Sequence, residues 1–325
     1  MGVNGRNSLR RLVLCRLNRS LGFLQEIIPM SYLDLDYYNS RVESLRLSRH
    51  MDYPYLISIE TLALCNAACN FCPYPQLERK GLSMSDELLW KIVHEFKDLP
   101  KDLPVTVVLS RVNETFLDKR VFAVAEWINR ELPHWNFNFF SNASPLTPSN
   151  LTRLAAIRNI NVLVLSVNDY RPEVYEAVMK LPFPRTLERV GDVHRLKQAG
   201  AIPFDVVLSR VGDGSDHDER FRAWVQQNYP LFQAWVTPRA DWIGAVKTNV
   251  SPVPDVGCTQ WFELHVLANG KEAFCCVDAE GRLGRGNAAN QHIVEIYNQP
   301  YRKQIRLKIQ SRLQLPYCQT CPLQA

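Results

Sequence analysis

Short apolar segments alternate with amphipathic segments along the chain between residues 53 and 236. The apolar segments are rich in β-branched and aromatic residues with little polar alternation, which is typical of parallel strands buried on both faces. They lie at 55–60, 104–110, 135–140, 161–167, 203–209 and 231–236. Helical patterns lie between them, at 84–98, 118–131, 148–158, 186–199 and 216–228. This succession of strand–helix units predicts an α/β protein with a partial (β/α)6 TIM-like barrel.

The pattern changes after the sixth strand segment. Asn269-Gly270 separates the apolar segments 261–268 and 272–277, and this dipeptide is a strong hairpin signal. A helical segment interrupted by Pro300 follows the hairpin. We therefore expect three parts: an N-terminal helical extension at 1–52, the barrel at 53–250, and a small hairpin-plus-helix domain at 251–325.

The N-terminal residues carry five arginines before the first acidic residue, Glu26. Apolar residues recur there on one helical stripe, at Leu9, Val13, Leu17, Leu21 and Leu24. This pattern predicts an amphipathic helix that packs against the body of the protein. A helix that docks on a membrane surface or on a partner protein is the alternative.

The composition is that of a globular protein. The chain has 325 residues, of which 46% are hydrophobic and 22% charged, which excludes a disordered or collagen-like chain. No apolar run reaches the roughly 18 residues that a membrane-spanning helix needs, so we expect no integral membrane segment. The net charge of +5 arises from interspersed charges and does not indicate a nucleic-acid partner. No secretory segment is evident, so the expected location is the cytoplasm.

The nine cysteines are the most informative feature, because clustered cysteines in a reducing compartment indicate metal ligands or catalysts. Cys65, Cys69 and Cys72 form a CxxxCxxC motif directly after the first strand segment. A structural zinc site normally takes four protein ligands. Three cysteines can instead hold a 4Fe-4S cluster and leave one iron open to an external ligand. The alternative is three buried, unliganded cysteines on a loop.

A second set of cysteines lies in the C-terminal part. Cys258 and Cys276 flank the hairpin, and Cys318 and Cys321 form a CxxC motif near the end of the sequence. Four thiolates could bind zinc or a second iron–sulfur cluster, and residue types alone do not distinguish the two.

The first motif, with Phe71 before its last cysteine, resembles that of the radical S-adenosylmethionine (radical SAM) enzymes. The resemblance covers about residues 55–236. It implies that the open iron chelates SAM and that the reduced cluster cleaves SAM to methionine and a 5′-deoxyadenosyl radical. It also implies that this radical abstracts hydrogen from a substrate, and that a flavodoxin- or ferredoxin-type protein donates the electron.

Residues at the ends of later strands also match this family. Glu114 retains the acid of the family's Gly-Gly-Glu-Pro segment, whereas the glycines and the proline are missing, which indicates that Arg111 or Asn113 faces the pocket. Ser141-Asn142-Ala143 stands where Thr-Asn-Gly is usual, and Leu165-Ser166-Val167-Asn168 resembles Leu-Ser-Leu-Asp. The resemblance therefore implies the cofactor-binding residues Phe71, Glu114, Ser141, Asn142, Ser166, Asn168 and Arg210.

The C-terminal part resembles the shortened SPASM domain, called twitch, that follows the barrel in many radical SAM enzymes. That resemblance implies an auxiliary 4Fe-4S cluster held by Cys258, Cys276, Cys318 and Cys321. With no cysteine after Cys321, we expect one auxiliary cluster. Neighbouring residues on a strand face opposite sides, so Cys275 would point away from this cluster. It would be a small buried residue or a thiol that donates hydrogen to a substrate radical.

This plan most resembles the radical SAM dehydrogenases that act on aminocyclitols and sugars in antibiotic biosynthesis. We therefore expect an oxidoreductase that oxidises a carbinol of a polar small molecule to a ketone, with the auxiliary cluster accepting the extra electron. Arg239 and Asp241 follow the sixth strand, where Arg239 could hold a hydroxyl or phosphate, or assist deprotonation. The alternatives are a radical epimerase that uses a cysteine donor, a peptide-modifying enzyme, and a non-catalytic iron–sulfur or zinc-binding scaffold.

Overall fold

The computed structural model describes residues 35–248 and 253–321 of the 325-residue chain. The apolar stripe predicted between Leu9 and Leu24 lies outside the described residues. The helix that opens the described part, Leu35–Arg46, belongs to the predicted N-terminal extension.

The helices and strands follow the predicted alternation. The strands are β1 (Leu56–Ile59), β2 (Thr106–Val108), β3 (Asn136–Ser141), β4 (Ile160–Ser166), β5 (Asp205–Val211), β6 (Gln233–Thr237), β7 (Glu263–Val266) and β8 (Glu272–Ala273). The α-helices are α1 (Leu35–Arg46), α2 (Asp86–Glu95), α3 (Arg120–Glu131), α4 (Pro148–Ala156), α5 (Pro172–Met179), α6 (Phe183–Gln198), α7 (His217–Asn228), α8 (Ile293–Tyr297) and α9 (Pro300–Lys308). No helix in these described ranges is both long enough and apolar enough to cross a membrane.

The described strands form one sheet in the order β6-β5-β4-β3-β2-β1-β7-β8. Strands β1 to β6 are all parallel to their neighbours, and the connections between them carry helices, as the sequence predicts. This arrangement confirms the α/β class and the partial barrel. The hairpin of β7 and β8 extends the same sheet, because β7 pairs in parallel with β1.

Strand β4 shows how the sheet is buried on both faces. Val162 and Val164 pack with Val207 and Trp235 in the concave interior of the barrel. Leu163 and the other intervening residues face the helices in the main core. Burial on both faces explains the near-continuous apolar pattern of the strand, since neither face has a polar environment.

Helix starts agree with the capping signals in the sequence. Ser85 caps α2 by accepting a hydrogen bond from the Leu88 amide at 3.2 Å. Thr147 caps α4 and is followed by Pro148 at the first helical position. These caps satisfy amide groups that would otherwise lack partners at the start of each helix.

Two elements differ from the prediction. Helix α5 was not predicted, although Pro172 at its first position is a common start signal. Strand β8 ends at Ala273 rather than continuing to residue 277. The reason is the buried Asp278 carboxylate, which accepts hydrogen bonds from the amides of Phe274, Arg282 and Leu283 and turns the chain.

The C-terminal part is held by a buried ion pair. Arg302 of α9 donates to the carboxylate of Glu272 on β8, and both side chains are at most 1% exposed. The same guanidinium donates to the carbonyls of Glu263 and Phe274 at 3.1 Å each. One arginine thus joins α9 to both strands of the hairpin.

We expect Arg302→Leu to lower the free energy of unfolding by about 3–5 kcal/mol, because it leaves the Glu272 carboxylate buried without its cationic partner. Lys303→Leu is the matched control: Lys303 pairs with Asp52 at the surface, and its loss should cost at most about 1 kcal/mol. Equilibrium urea unfolding of anaerobically purified protein measures both. Equal losses in the two variants would contradict this role of the buried pair.

Candidate functional site

The CxxxCxxC motif lies on the loop that follows β1, at the carboxyl end of the parallel strands. The C-terminal end of helix α5 contacts this loop. The amides of Ala68 and Asn70 donate to the carbonyls of Met179 and Val178 at 3.2 and 3.3 Å. The Met179 sulfur also lies 3.4 Å from the Cys69 sulfur. The helix that the sequence pattern missed therefore positions the cysteine loop.

The three thiols of this loop lie close enough for their charges to interact. Burial raises the pKa of Cys65 to about 12 and that of Cys72 to about 11. Burial also raises the pKa of Cys69, and the neighbouring Cys72 and Cys65 raise it further. Three thiolates at this site would therefore repel one another in a poorly solvated place. A positively charged iron centre removes that penalty, because metal coordination favours the deprotonated thiol.

Glu114, Ser141 and Asn142 come together beside this loop. The Glu114 carboxylate accepts hydrogen bonds from the Ser141 hydroxyl at 2.8 Å and the Asn142 amide at 2.6 Å. Burial raises the pKa of Glu114 to about 7. The Asn142 side chain donates to Asn66 of the cysteine loop at 2.8 Å and lies 3.9 Å from the Cys65 sulfur. Glu114 thus positions Asn142, and Asn142 faces the cysteine loop.

Ala143, which follows Asn142, has a φ of 67°. That left-handed conformation favours glycine, which the family has at this position of the Thr-Asn-Gly segment. The backbone therefore keeps the turn although the residue differs. The turn directs the Asn142 side chain toward the cysteine loop rather than along β3.

Asn168 and Arg210 join the ends of β4 and β5. Asn168 accepts a hydrogen bond from the Val211 amide at 2.9 Å and donates to the Met179 sulfur at 3.0 Å. Arg210 donates to Asp169 at 2.7 Å, Asp218 at 2.8 Å and Asp213 at 3.1 Å. These contacts occupy the guanidinium with carboxylates of the chain itself. They indicate that Arg210 joins the segments after β4 and β5. They give no support to the ligand-binding role implied by the resemblance.

Ser166 ends β4, and its hydroxyl oxygen lies 3.5 Å from that of Ser209 on β5. The two hydroxyls are half-buried at the same edge of the sheet as the cysteine loop. This places Ser166 beside the other strand-end residues.

A cavity of about 1010 Å³ opens between the cysteine loop and the carboxyl ends of β4, β5 and β6. Asn70 and Phe71 form its wall on the loop side, and Asn168, Arg210 and Arg239 are among its other lining residues. Its remaining lining includes carboxylates and cations from the segments after β4, β5 and β6: Asp169, Arg171, Asp213, Asp216, Asp218, Glu219, Arg222 and Lys247. The cavity is large enough for a nucleoside and a small polar molecule.

Arg239 connects β6 to the cysteine loop. Its guanidinium donates to the Asn70 carbonyl at 2.6 Å. Its Nε is buried without a hydrogen-bond partner, although the residue lines the cavity. The indole of Trp242 donates to the Phe71 carbonyl at 3.2 Å. The segment after β6 therefore contacts one side of the cysteine loop through Arg239 and Trp242.

The second cysteine set is buried in the core of the C-terminal part. Cys258, Cys318 and Cys321 are each at most 9% exposed. Burial raises the pKa of Cys258 to about 11. Burial also raises the pKa of Cys318, and Cys258, Cys275 and Cys321 raise it further. Cys275 packs against the apolar cluster that contains Cys258 and Cys318.

The fourth member of this group is expected to be Cys276, and Cys275 also packs against the cluster that contains Cys258 and Cys318. Charge interactions connect Cys275 with Cys258, Cys318 and Cys321, whereas those of Cys276 are with Cys275, Glu263, Arg111 and Cys321. The Cys276 amide donates to Gln260 at 3.0 Å, on the side of Glu263. The strand-alternation argument fails because β8 ends at Ala273 and both cysteines lie in the turn closed by Asp278.

The donor chemistry of both sets fits iron–sulfur clusters. The eight cysteines of the described residues are all free thiols. Within residues 35–248 and 253–321, no three cysteine, histidine or carboxylate side chains converge as the ligands of a single metal ion do. The fit rests on two groups of partly or fully buried thiols whose charges interact.

Two positions near the second set were not found by sequence reasoning. Tyr38 of α1 lies with its hydroxyl 3.8 Å from the Cys258 sulfur, and Arg312 lowers the pKa of Cys258 by its charge. Val42 and Leu45 of the same helix pack on this core. No motif marks these residues, because their role depends on the docking of α1 against the C-terminal part.

Arg111 or Asn113 was expected to face the pocket, but neither is among the residues that line the cavity in the described structure. The Arg111 guanidinium instead reaches the C-terminal hairpin and donates to the Cys275 carbonyl at 2.8 Å. Asn113 accepts a hydrogen bond from the Arg111 amide at 2.7 Å and so fixes the turn after β2.

Comparison with known families gives a match to the C-terminal part. Residues 258–322 match the SPASM model, described as an iron–sulfur cluster-binding domain. This range contains both hairpin cysteines and the CxxC motif. A comparison with curated proteins gave no match.

Solved structures resemble most of the chain. BtrN in complex with AdoMet and 2-DOIA is 15% identical, with a TM-score of 0.56 over 82% of this chain and 92% of that one. Streptococcus suis SuiB bound to precursor peptide SuiA is 14% identical, with a TM-score of 0.62 over 88% of this chain and 74% of that one. Native anSMEcpe with bound AdoMet is 11% identical, with a TM-score of 0.58 over 83% of this chain and 89% of that one. The chain therefore shares the fold of these solved structures, together with a C-terminal segment that matches the SPASM iron–sulfur cluster-binding domain.

Proposed function

We propose that this protein is a radical SAM oxidoreductase that oxidises a carbinol of a polar small molecule, such as a sugar or aminocyclitol, to a ketone. The observation that carries the proposal is the three-thiol loop after β1, which forms one side of a large polar cavity. The similarity of the fold to that of BtrN in complex with AdoMet and 2-DOIA also supports this function.

Cys65, Cys69 and Cys72 would hold the first 4Fe-4S cluster. A cluster bound there supplies the electron that cleaves SAM to methionine and a 5′-deoxyadenosyl radical. The protein supplies the position of the loop, through the contacts of Ala68 and Asn70 with the end of α5. It also limits the access of water to the thiols, since Cys65 and Cys72 pack against a small apolar cluster around Tyr74.

SAM would occupy the part of the cavity next to the cysteine loop. Phe71 lines it from the loop, and Asn142 presents its amide beside Cys65. Ser166 and Asn168 lie at the ends of the strands on the far side. Glu114 acts through Asn142, because its oxygens are already occupied by protein donors.

The substrate would lie deeper in the cavity, near Arg239. SAM bound in the cavity would supply the group that takes a hydrogen atom from a carbinol carbon. Loss of the hydroxyl proton and of one electron would then give the ketone. Arg239 lines the cavity and would offer its cationic guanidinium to the substrate oxygen, which favours release of its proton. Asp241, two residues further, is half-buried beside it.

The auxiliary 4Fe-4S cluster would accept that electron. The packing favours Cys258, Cys275, Cys318 and Cys321 as its ligands. Four protein ligands leave no open iron, which suits electron transfer. An external flavodoxin- or ferredoxin-type donor would supply the first cluster, and a reducing cytoplasm would keep the thiols free.

Peptide modification is the second candidate. Streptococcus suis SuiB bound to precursor peptide SuiA gives a TM-score of 0.62 with this chain, compared with 0.56 for the BtrN complex. The epimerase alternative has less support. Its expected hydrogen donor, Cys275, packs with the second cysteine set, and neither Cys275 nor Cys276 is among the described residues that line the cavity.

We expect the anaerobically reconstituted protein to form 5′-deoxyadenosine from SAM in the presence of a strong reductant. Cys72→Ala should abolish this product, because two thiols remain where the cluster needs three. Cys15→Ala is the control, since this cysteine belongs to neither set. Liquid chromatography with mass detection measures the product. Absence of 5′-deoxyadenosine from the unaltered protein would favour the non-catalytic scaffold.

Iron analysis tests the second ligand set. We expect about eight irons per chain in the unaltered protein and about four in Cys275→Ala. Cys276→Ala is the matched control and should retain about eight. The reverse pattern would restore Cys276 as the ligand, and about four irons with one zinc in the unaltered protein would identify a zinc site.

Isotope transfer tests the substrate class. We expect a polyol or aminocyclitol deuterated at its carbinol carbon to give deuterated 5′-deoxyadenosine and a ketone in equal amounts. Mass spectrometry follows both products. Deuterium transfer from labelled peptides, with none from a panel of such alcohols, would favour the peptide-modifying alternative.

A further inference from the structure

Arg111 connects the barrel to the second cysteine set. It stands at the end of β2, three residues before Glu114, and its backbone is fixed by the hydrogen bond with Asn113. Its side chain extends away from the cavity toward the C-terminal hairpin. Arg111 is therefore part of the barrel in the sequence, whereas its guanidinium contacts the C-terminal hairpin.

The contacts of the guanidinium centre on the cysteine turn. Nη2 donates to the Cys275 carbonyl at 2.8 Å and lies 3.3 Å from the Cys276 carbonyl and 3.5 Å from that of Asp278. Nη1 lies 3.0 Å from Nδ1 of His265 on β7. Nε is buried without a partner. Backbone carbonyls and an imidazole thus surround this cation.

This environment differs from that of three buried arginines in the described structure. Arg79, Arg210 and Arg302 each pair with a carboxylate, whereas the contacts of Arg111, like those of Arg306, are to neutral acceptors. Glu263 contacts His265, with 3.1 Å between Oε2 and Nε2. Burial lowers the pKa of His265 well below its ordinary value, so the imidazole is neutral at pH 7. Arg111 therefore places a positive charge beside the Cys275 carbonyl, and Arg312 places a second one near Cys258 and Cys318.

We propose that Arg111 is a positioning residue that raises the reduction potential of the auxiliary cluster, and the inference rests on the proposed function. Reduction adds one electron to the cluster and makes it more negative. A cation that donates to the carbonyl of a ligand residue in a buried site stabilises that reduced state. A higher potential favours transfer of the electron from the substrate radical to the cluster.

The test measures the potential of the auxiliary cluster alone. Cys72→Ala provides the background, because it removes the first cluster and leaves about four irons per chain. Arg111→Gln removes the charge and keeps hydrogen-bond donors, whereas Arg111→Lys keeps the charge. Arg49→Gln removes one charge from an exposed pair with Asp102 and controls for net charge. Redox titration followed by electron paramagnetic resonance gives each potential at one fixed pH.

We expect Arg111→Gln to shift the potential to a more negative value, with a smaller shift in Arg111→Lys and none in Arg49→Gln. Equal potentials in the Arg111→Gln variant and its background would overturn the inference, as would equal shifts in the Gln and Lys variants. If Arg111→Gln assembles no cluster, Arg111→Met makes the same measurement. If the auxiliary cluster assembles in Arg111→Lys but in neither Arg111→Gln nor Arg111→Met, the inference would also be overturned. Arg111 would then be a structural residue that joins the barrel to the hairpin.

The iron content separates this inference from the proposed function. A Cys72→Ala background without iron would show that no auxiliary cluster forms, and the proposed function would fail with it. About four irons in the background, with a potential that Arg111→Gln leaves unchanged, would overturn the role of Arg111 alone.

Discussion

The parallel pairing of β1 with β7 determines the relation between the two cysteine sets. Leu56–Ile59 pairs with Glu263–Val266, so the C-terminal hairpin continues the sheet of the barrel. The first cysteine loop leaves the end of β1, and the second set surrounds the hairpin that begins with β7. Two groups of thiols that are almost two hundred residues apart in sequence are thereby attached to neighbouring strands.

Glu60 reinforces this pairing at the edge that carries the chemistry. It lies directly after β1 and is fully buried, where it accepts two hydrogen bonds from Arg79 at 2.6 and 2.8 Å. It also accepts hydrogen bonds from the amides of Val112 and Ala268, at 3.4 and 3.1 Å. One carboxylate thus joins the segments that follow β1, β2 and β7. Rigid placement of the strand ends is what a site assembled from several loops requires.

The sequence was sufficient for the elements that depend on local pattern. The buried strands and the capped helices are predicted by the periodicity of apolar residues and by the capping residues. The cysteine loop is predicted by the spacing of its three cysteines. Helix α5 was missed because its eight residues are too few to show a clear period beside two prolines. Strand alternation does not decide between Cys275 and Cys276, since the buried Asp278 turns the chain and β8 ends at Ala273. Long-range contacts of this kind, like that of Arg111, leave no mark in a single sequence.

The central claim is that the loop of Cys65, Cys69 and Cys72 holds a cluster whose open iron binds SAM. Electron paramagnetic resonance of the dithionite-reduced Cys275→Ala protein, which isolates the first cluster, tests it most directly. The account predicts that adding SAM changes the spectrum of the reduced cluster. Spectra that are identical with and without SAM would contradict it.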